Sequence, residues 1–198
     1  MELVSQTWTE SEWEQFFKAN QWIFGLGLRF QFLSVLQNQA DYGGTSFDRT
    51  GEQKGEFLMH TEAEERFTVL VEIKKPQTRF FQSAGKPYRS GVPGFNPDFM
   101  NAISQVQVNT HTWEMEGSQR KHDAETLSQV HIRTISPRSL LICGHLGELG
   151  DVDAKKAFDK RHAFELLRCK LRVPEIITFD ELLERAHFII RDQATTSR

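Results

Sequence analysis

The stretch V-L-V-E-I-K-K-P, residues 69–76, holds the side chains with the most chemical potential in the chain. Side chains alternate along an extended strand, so Glu72 and Lys74 share one face while Val71 and Ile73 share the other. A carboxylate and an ammonium two residues apart, at the end of an apolar run, can both reach one small site. Glu56 opens the preceding strand, and a hairpin would bring this second carboxylate beside Glu72. Two close carboxylates repel and raise each other's pKa unless a cation lies between them. Mg²⁺ resolves that conflict with oxygen ligands from one or two carboxylates plus waters and substrate phosphate, and Mn²⁺ is a possible substitute. Lys74 would then orient, or help deprotonate, a metal-bound water attacking a phosphodiester. The competing interpretation is an exposed ion pair on a strand, worth ~0.2–1 kcal/mol. Two features favour a site: the run before Glu72 is too apolar for an exposed strand, and the segment after it is basic.

The elements needed to position these groups are visible in the pattern. Thr9 with Glu12 forms a capping box ahead of Trp13, Phe16 and Phe17, which predicts a first helix ending at Asn20. Alternation through Leu28, Phe30 and Phe32 predicts a strand over residues 28–37, followed by a Gly-rich loop over 41–55. Strands over 56–60 and 67–74 flank an acidic turn, giving an antiparallel hairpin, and Pro76 ends the second. Residues 77–95 form a long loop, and long loops are often functional. Asn96-Pro97-Asp98 supplies a cap, an N1 proline and a first-turn acid for a helix to about Trp113. Residues 117–129 are polar and give no clear pattern. A short buried strand is expected over 139–144. Next come a helix capped by Asp153, a strand over 175–179 and a terminal helix capped by Asp180. The order predicts an α/β or α+β fold with a mixed sheet, as a single domain over residues 1–198.

Composition limits the alternatives. With 24 Lys+Arg against 27 Asp+Glu the net charge is −3, which excludes a globally basic nucleic-acid binder but not local patches. Five basic residues (Lys74, Lys75, Arg79, Lys86, Arg89) follow Glu72, and Lys75, Arg79 and Arg89 are candidate phosphate contacts. A second basic run, residues 155–172, is read as a solvated face; Glu14 on the first helix is a weaker candidate for a site acid and is expected to face solvent. The seven histidines form no metal-binding spacing, and Cys143 with His145 lacks a second pair for zinc. Two cysteines are too few for a disulfide scaffold. No apolar run approaches the ~18 residues of a membrane span, and no secretory signal opens the chain, so a cytoplasmic location and no membrane partner are expected.

A hairpin bearing an acid, then E-x-K, then a helix carrying Gln105 resembles the PD-(D/E)XK nuclease superfamily. More narrowly, the chain resembles the Shedu family of bacterial anti-phage defence nucleases. The resemblance is carried in order by NQWIFGLG (20–27), GEFLM (55–59), LVEIKKPQT (70–78), YRSGV (88–92), NAISQVQ (101–107), AFELLR (163–168) and EIITFDELLERA (175–186). It implies a restriction-endonuclease-like core, with a mixed central sheet flanked by helices, and a Mg²⁺-dependent DNA endonuclease. In that reading Glu56, Glu72 and the Ile73 carbonyl bind metal, Lys74 positions water, and Gln105 lies near the scissile phosphate. It also implies homo-oligomers and leaves room for a regulatory partner. Glu56 replaces the family's usual aspartate, and Asn109 stands where related nucleases often carry tyrosine. Those departures sustain an alternative: a nuclease-derived module that binds nucleic acid or a partner without cutting. A plain oligomeric scaffold is the third reading.

Overall fold

The computed structural model describes residues 8–20, 33–43, 53–62, 65–82, 89, 91–119 and 121–196. In chain order the elements are α1 (Glu10–Ala19), β1 (Leu33–Gly43), β2 (Gln53–Thr61), β3 (Arg66–Ile73), α2 (Pro97–Met115), α3 (Lys121–Gln129), β4 (Ile132–Ile142), α4 (Ala154–Lys170), β5 (Glu175–Ile177) and α5 (Phe179–Thr196). The five strands form one sheet in sequential order. β1–β2 and β2–β3 are antiparallel, whereas β3–β4 and β4–β5 are parallel. Each parallel pairing is bridged by helix, as such pairings require. This is the mixed, helix-flanked sheet that the sequence predicts.

Alternation along the strands makes two apolar faces. Phe57, Met59, Val69, Val71, Ile73, Leu140, Ile142 and Ile177 pack under α1 and α5 through Trp13, Phe17, Phe179 and Leu182. The Trp13 and Phe179 rings lie 4.5 Å apart, centroid to centroid. On the other face Leu141 and Ile176 meet α2 and α4, while Leu58 and Leu70 meet Trp113 of α2 and Leu127 of α3. β3 is therefore covered on both sides, which explains why its sequence is a nearly unbroken apolar run.

Helix starts follow local chemistry. The Thr9 hydroxyl accepts the Glu12 N–H at 3.3 Å and the Glu12 carboxylate accepts the Thr9 N–H at 2.7 Å, the reciprocal box that the sequence predicts. The Asn96 side chain accepts the Asp98 N–H at 2.8 Å, with Pro97 in the first turn.

Several boundaries differ from expectation. The first strand begins no earlier than Leu33 among the described residues and runs to Gly43, and β2 already starts at Gln53, so both ends of the expected 41–55 loop are strand. Residues 28–32 and most of that loop lie outside the described residues. The featureless stretch after Gly117 contains α3. β4 reaches back to Ile132 rather than starting near Ser139. Its irregular half holds Ser136 at φ 44° beside Pro137, where the β3–β4 register shifts. That shift accommodates a proline a regular ladder would exclude. α5 is capped by Thr178, not Asp180: the Thr178 hydroxyl accepts the Glu181 N–H at 3.4 Å and Glu181 accepts the Thr178 N–H at 3.0 Å. Asp180 instead accepts the Leu146 N–H at 2.9 Å. Cys143 is buried and Cys169 exposed, both free thiols. No described helix is long and apolar enough to cross a membrane.

Candidate active site

The hairpin β2–β3 builds the site by running out of ladder. Its last paired residues are Phe57 and Val71, and one step beyond, the same register sets Glu56 opposite Glu72. Directly opposed residues keep their side chains within reach of each other. β3 is held on its other edge, where the Lys74 N–H donates to the Ile142 carbonyl at 2.8 Å. Main-chain groups of successive strand residues point to alternate neighbours, so the Ile73 carbonyl faces the β2 side, past the last β2–β3 pair. The Lys74 ammonium donates to Glu72 Oε1 at 2.7 Å, placing the E-x-K pair on one face as alternation predicts.

The electrostatics of this corner are unusual. Glu72 is 5% exposed. Burial raises its pKa, against the Lys74 ammonium, which pulls it down. Burial opposes charge on Lys74 as well, but the Glu72 carboxylate, with Glu10 and Glu56, outweighs it and leaves the ammonium above its ordinary pKa. Glu56 is pushed up to about 7, first by burial and then by the carboxylates of Glu72, Glu14 and Glu10. Two of these come from α1. Glu14 is not the solvent-facing acid expected from sequence: it is 5% exposed, with Lys18 Nζ at 2.6 Å from its carboxylate. Glu10 and Glu14 lie one turn apart on α1 and both add negative charge around Glu56.

The basic segment after β3 is anchored to the scaffold. The Glu148 carboxylate accepts the N–H groups of Phe80 at 2.6 Å and Phe81 at 3.1 Å, while the Phe80 ring enters the core beside Phe99 and Phe164. Gly144 adds a second anchor, donating to the Lys75 carbonyl at 3.1 Å. Its φ of 59° and its approach to Phe80, where a Cβ would lie 2.4 Å from the ring, demand glycine. Neither Glu148 nor Gly144 stood out in the sequence. Of the candidate phosphate contacts, Lys75 and Arg89 are exposed, and Arg79 is exposed with its Nε 3.9 Å from Glu148; Lys86 lies outside the described residues. Gln105 is exposed on α2, and its side chain makes no hydrogen bond to Glu56, Glu72 or Lys74. Asn109, four residues on, is buried.

Among the described residues no set of three or more His, Cys, Asp or Glu converges to hold a metal. The carboxylates that approach each other are Glu56 and Glu72, and strand alternation directs the Ile73 carbonyl to the β2 side of β3. This set is all oxygen, and carboxylates outnumber ammonium groups around it, which suits a hard divalent cation that keeps several waters. Cys143, pushed up to about 12 by burial, is a core thiol and no ligand. Two open clefts lie elsewhere. One of about 1050 Å³ is lined by Phe67, Thr68, Arg138 and Arg172, and one of about 500 Å³ by Ile132, Arg133 and Ser118. Both sit toward the start of β3 and β4, away from the E-x-K end. The paired carboxylates and the ammonium lie at the strand ends, not in these larger spaces.

The comparisons agree with the resemblance. A family model described as Shedu protein SduA, C-terminal, matches residues 7–183. The curated Shedu protein SduA of Bacillus cereus (strain B4264) is 30% identical over 184 residues, 92% of this chain and 46% of that protein. The chain therefore spans about half the length of the curated relative it matches.

Proposed function

The chain belongs to the Shedu family, matching the C-terminal part of SduA, and on that footing we propose that it is a metal-dependent DNA endonuclease of the PD-(D/E)XK type acting in defence against phage. The observation that carries the proposal is the end of the β2–β3 ladder, where Glu56 and Glu72 face each other and Lys74 holds Glu72 at 2.7 Å. Glu56, Glu72 and the Ile73 carbonyl would hold Mg²⁺ or Mn²⁺. Such an ion, when bound, neutralises phosphate charge and lowers the pKa of a water. With no ion bound, the surrounding carboxylates raise the pKa of Lys74 and favour its ammonium form. Lys74 would orient the water or help deprotonate it, and would oppose negative charge building on the phosphate. Lys75, Arg79 and Arg89 grip flanking phosphates from the anchored segment, and Gln105 contacts the strand being cut from the exposed side of α2. In this proposal the protein works in the cytoplasm, and a partner protein controls when it cuts.

The test uses supercoiled plasmid with Mg²⁺, comparing the native chain with Glu72→Ala and Lys74→Ala. Nicking by the native chain and its loss in both variants is expected. Equal nicking by all three removes the assignment.

A second reading has its own support: no three-residue metal set forms among the described residues, and Lys74 already occupies Glu72. A nuclease-derived module that binds DNA without cutting has these properties. Calorimetric titration with Mn²⁺ separates the two. Binding lost in Glu56→Ala and Glu72→Ala supports the nuclease, and no heat in the native protein favours the binding module.

A further inference from the structure

The larger of the two clefts owes its shape to β4. Phe67 pairs with Arg133 and Val69 with Arg138, so residues 134–137 face Thr68 alone and leave the ladder. The Thr134 and Thr68 hydroxyls, 3.1 Å apart, pin one side of this excursion. The Ser136 N–H, donating to Glu114 Oε1 at 2.8 Å, pins the other. Ser136 holds a left-handed φ of 44° there, a conformation that costs energy in a residue with a side chain. The cleft opens between the excursion, the start of β3 and the turn from α4 into β5, with a volume of about 1050 Å³. That is near the upper end of the range for small-molecule sites. Phe67 and Glu72 are separated by about 17 Å of extended chain on β3, so the cleft is distinct from the E-x-K corner.

Three kinds of group line it. Phe67 and Ile135 are apolar, yet 38% and 61% exposed. Arg138, Arg168 and Arg172 bring guanidinium groups from β4 and the end of α4. Ser139 is 2% exposed, and its hydroxyl has no hydrogen-bond partner among the described residues. Buried hydroxyls are rarely left so, and each exception needs a reason. The charge of the lining is uneven. Its three carboxylates are all drawn to arginines outside it: Glu62 to Arg66 at 3.4 Å, Glu65 to Arg133 at 3.0 Å and Glu175 to Arg185 at 4.0 Å. Arg168 is matched by Glu181 at 2.7 Å. Arg172 is exposed and pairs with no acid among the described residues, and Arg138 is exposed as well.

We propose that this cleft binds a free nucleoside phosphate, a ligand with a flat ring at one end and phosphate at the other. Each part of the ligand answers one part of the lining. Guanidinium forks match phosphate oxygens in pairs, so Arg138 and Arg172 hold the phosphates. The ring lies against Phe67 and Ile135 and covers apolar surface that is otherwise left in water. The Ser139 hydroxyl donates to an oxygen of the ligand. Inorganic phosphate leaves the apolar lining uncovered, and a purely apolar ligand leaves Arg172 unmatched and the hydroxyl orphaned. A duplex keeps its bases stacked inside and offers no ring to Phe67. The inference rests on the cleft alone and stands whether or not the chain cuts DNA.

The probe is ADP carrying an N-methylanthraniloyl fluorophore, titrated with the full chain in EDTA so that no metal bridges it to the E-x-K corner. Its anisotropy should rise and saturate, with half-saturation below about 1 mM. Arg172→Glu and Arg138→Glu should each weaken binding by about tenfold or more, and Phe67→Ala several-fold. Both arginines are on the surface, so circular dichroism should be unchanged in their variants. Ser139→Ala should also weaken binding several-fold, without lowering the urea midpoint of the unliganded chain, because a hydroxyl with no partner leaves no bond to lose. Unlabelled ADP should displace the probe, while adenosine and inorganic phosphate at the same concentration should not. Anisotropy that fails to saturate overturns the inference, as does native affinity in both arginine variants or a probe that ADP cannot displace. Displacement by phosphate alone overturns the nucleoside assignment. Displacement by a single-stranded oligonucleotide in preference to ADP overturns the free ligand.

Discussion

Replacing Glu56 with glutamine should stabilise this protein while removing a proposed metal ligand. The carboxyl is ordinarily half-ionised at 4.5 and in the fold at about 7. The folded chain therefore holds this proton more tightly than the unfolded chain. Between those two values it binds more protons than the unfolded state, and stability falls as pH rises. The stability associated with Glu56 is fully present below about 4.5 and is lost through pH 7. At 1.36 kcal/mol per pH unit the interval corresponds to about 3 kcal/mol. Glu56 is only partly buried, and solvent screening reduces the effect to about 1–2 kcal/mol. Glutamine keeps the shape and cannot ionise, so Glu56→Gln should be more stable than the native chain by about that amount at pH 8. At pH 4.5 the two should nearly coincide. Urea unfolding followed by tryptophan fluorescence at both values measures the difference, and a thermal scan should show a rise of about 3–6 °C at pH 8. The same variant should lose Mn²⁺-dependent heat. Equal stability at pH 8, or a native pH profile retained by the variant, would refute the claim that Glu56 is held in a desolvated, acid-rich corner.

Three further outcomes are expected. Lys74→Met leaves the buried Glu72 carboxylate without its partner and should cost about 2 kcal/mol in urea; combining it with Glu72→Gln should recover most of that loss. Gly144→Ala forces a side chain into a left-handed backbone and against the Phe80 ring; about 2–3 kcal/mol of destabilisation is expected, and an unchanged urea midpoint would show that Phe80 yields freely. Glu148→Ala removes the acceptor for the Phe80 and Phe81 N–H groups. Limited proteolysis should then cut within residues 77–95 several-fold faster, while the rest of the chain keeps its resistance.

The parts of the fold that were readable in advance are those with a local cause. The Thr9–Glu12 box, the Asn96-Pro97-Asp98 start and the hairpin around Thr61 each need only a few neighbouring residues to specify them. The pairing of Glu72 with Lys74 followed from strand alternation alone. What escaped was set by distant contacts. The Ile132 end of β4 reads as a polar, proline-bearing stretch and becomes strand by pairing with Arg66 and Phe67. Thr178 and Asp180 are both good cap residues, and the choice turns on Asp180 being taken by Leu146, 34 residues away. Glu14 looked like a solvated acid because a helix wheel does not reveal which side of the apolar stripe meets a strand end. Gln105 was assigned by resemblance alone, because an exposed polar residue in a helix carries no local pattern that marks a site.

The switch from antiparallel to parallel pairing at β3 also governs the order in which the molecule can be made. The β2–β3 hairpin closes over a handful of residues, which peptides of this kind achieve in about 1–10 μs. The β3–β4 ladder must wait until α2 and α3 have been synthesised between its partners. Closing so long a segment is slow, and it comes late in a growing chain. A polypeptide emerging from the ribosome with Met115 as its last free residue would already hold both acidic side chains on its hairpin. It would hold them in water, with nothing clamping the strand behind Lys74. The reactive corner matures only when the C-terminal half arrives, so incomplete chains carry its ingredients without its environment.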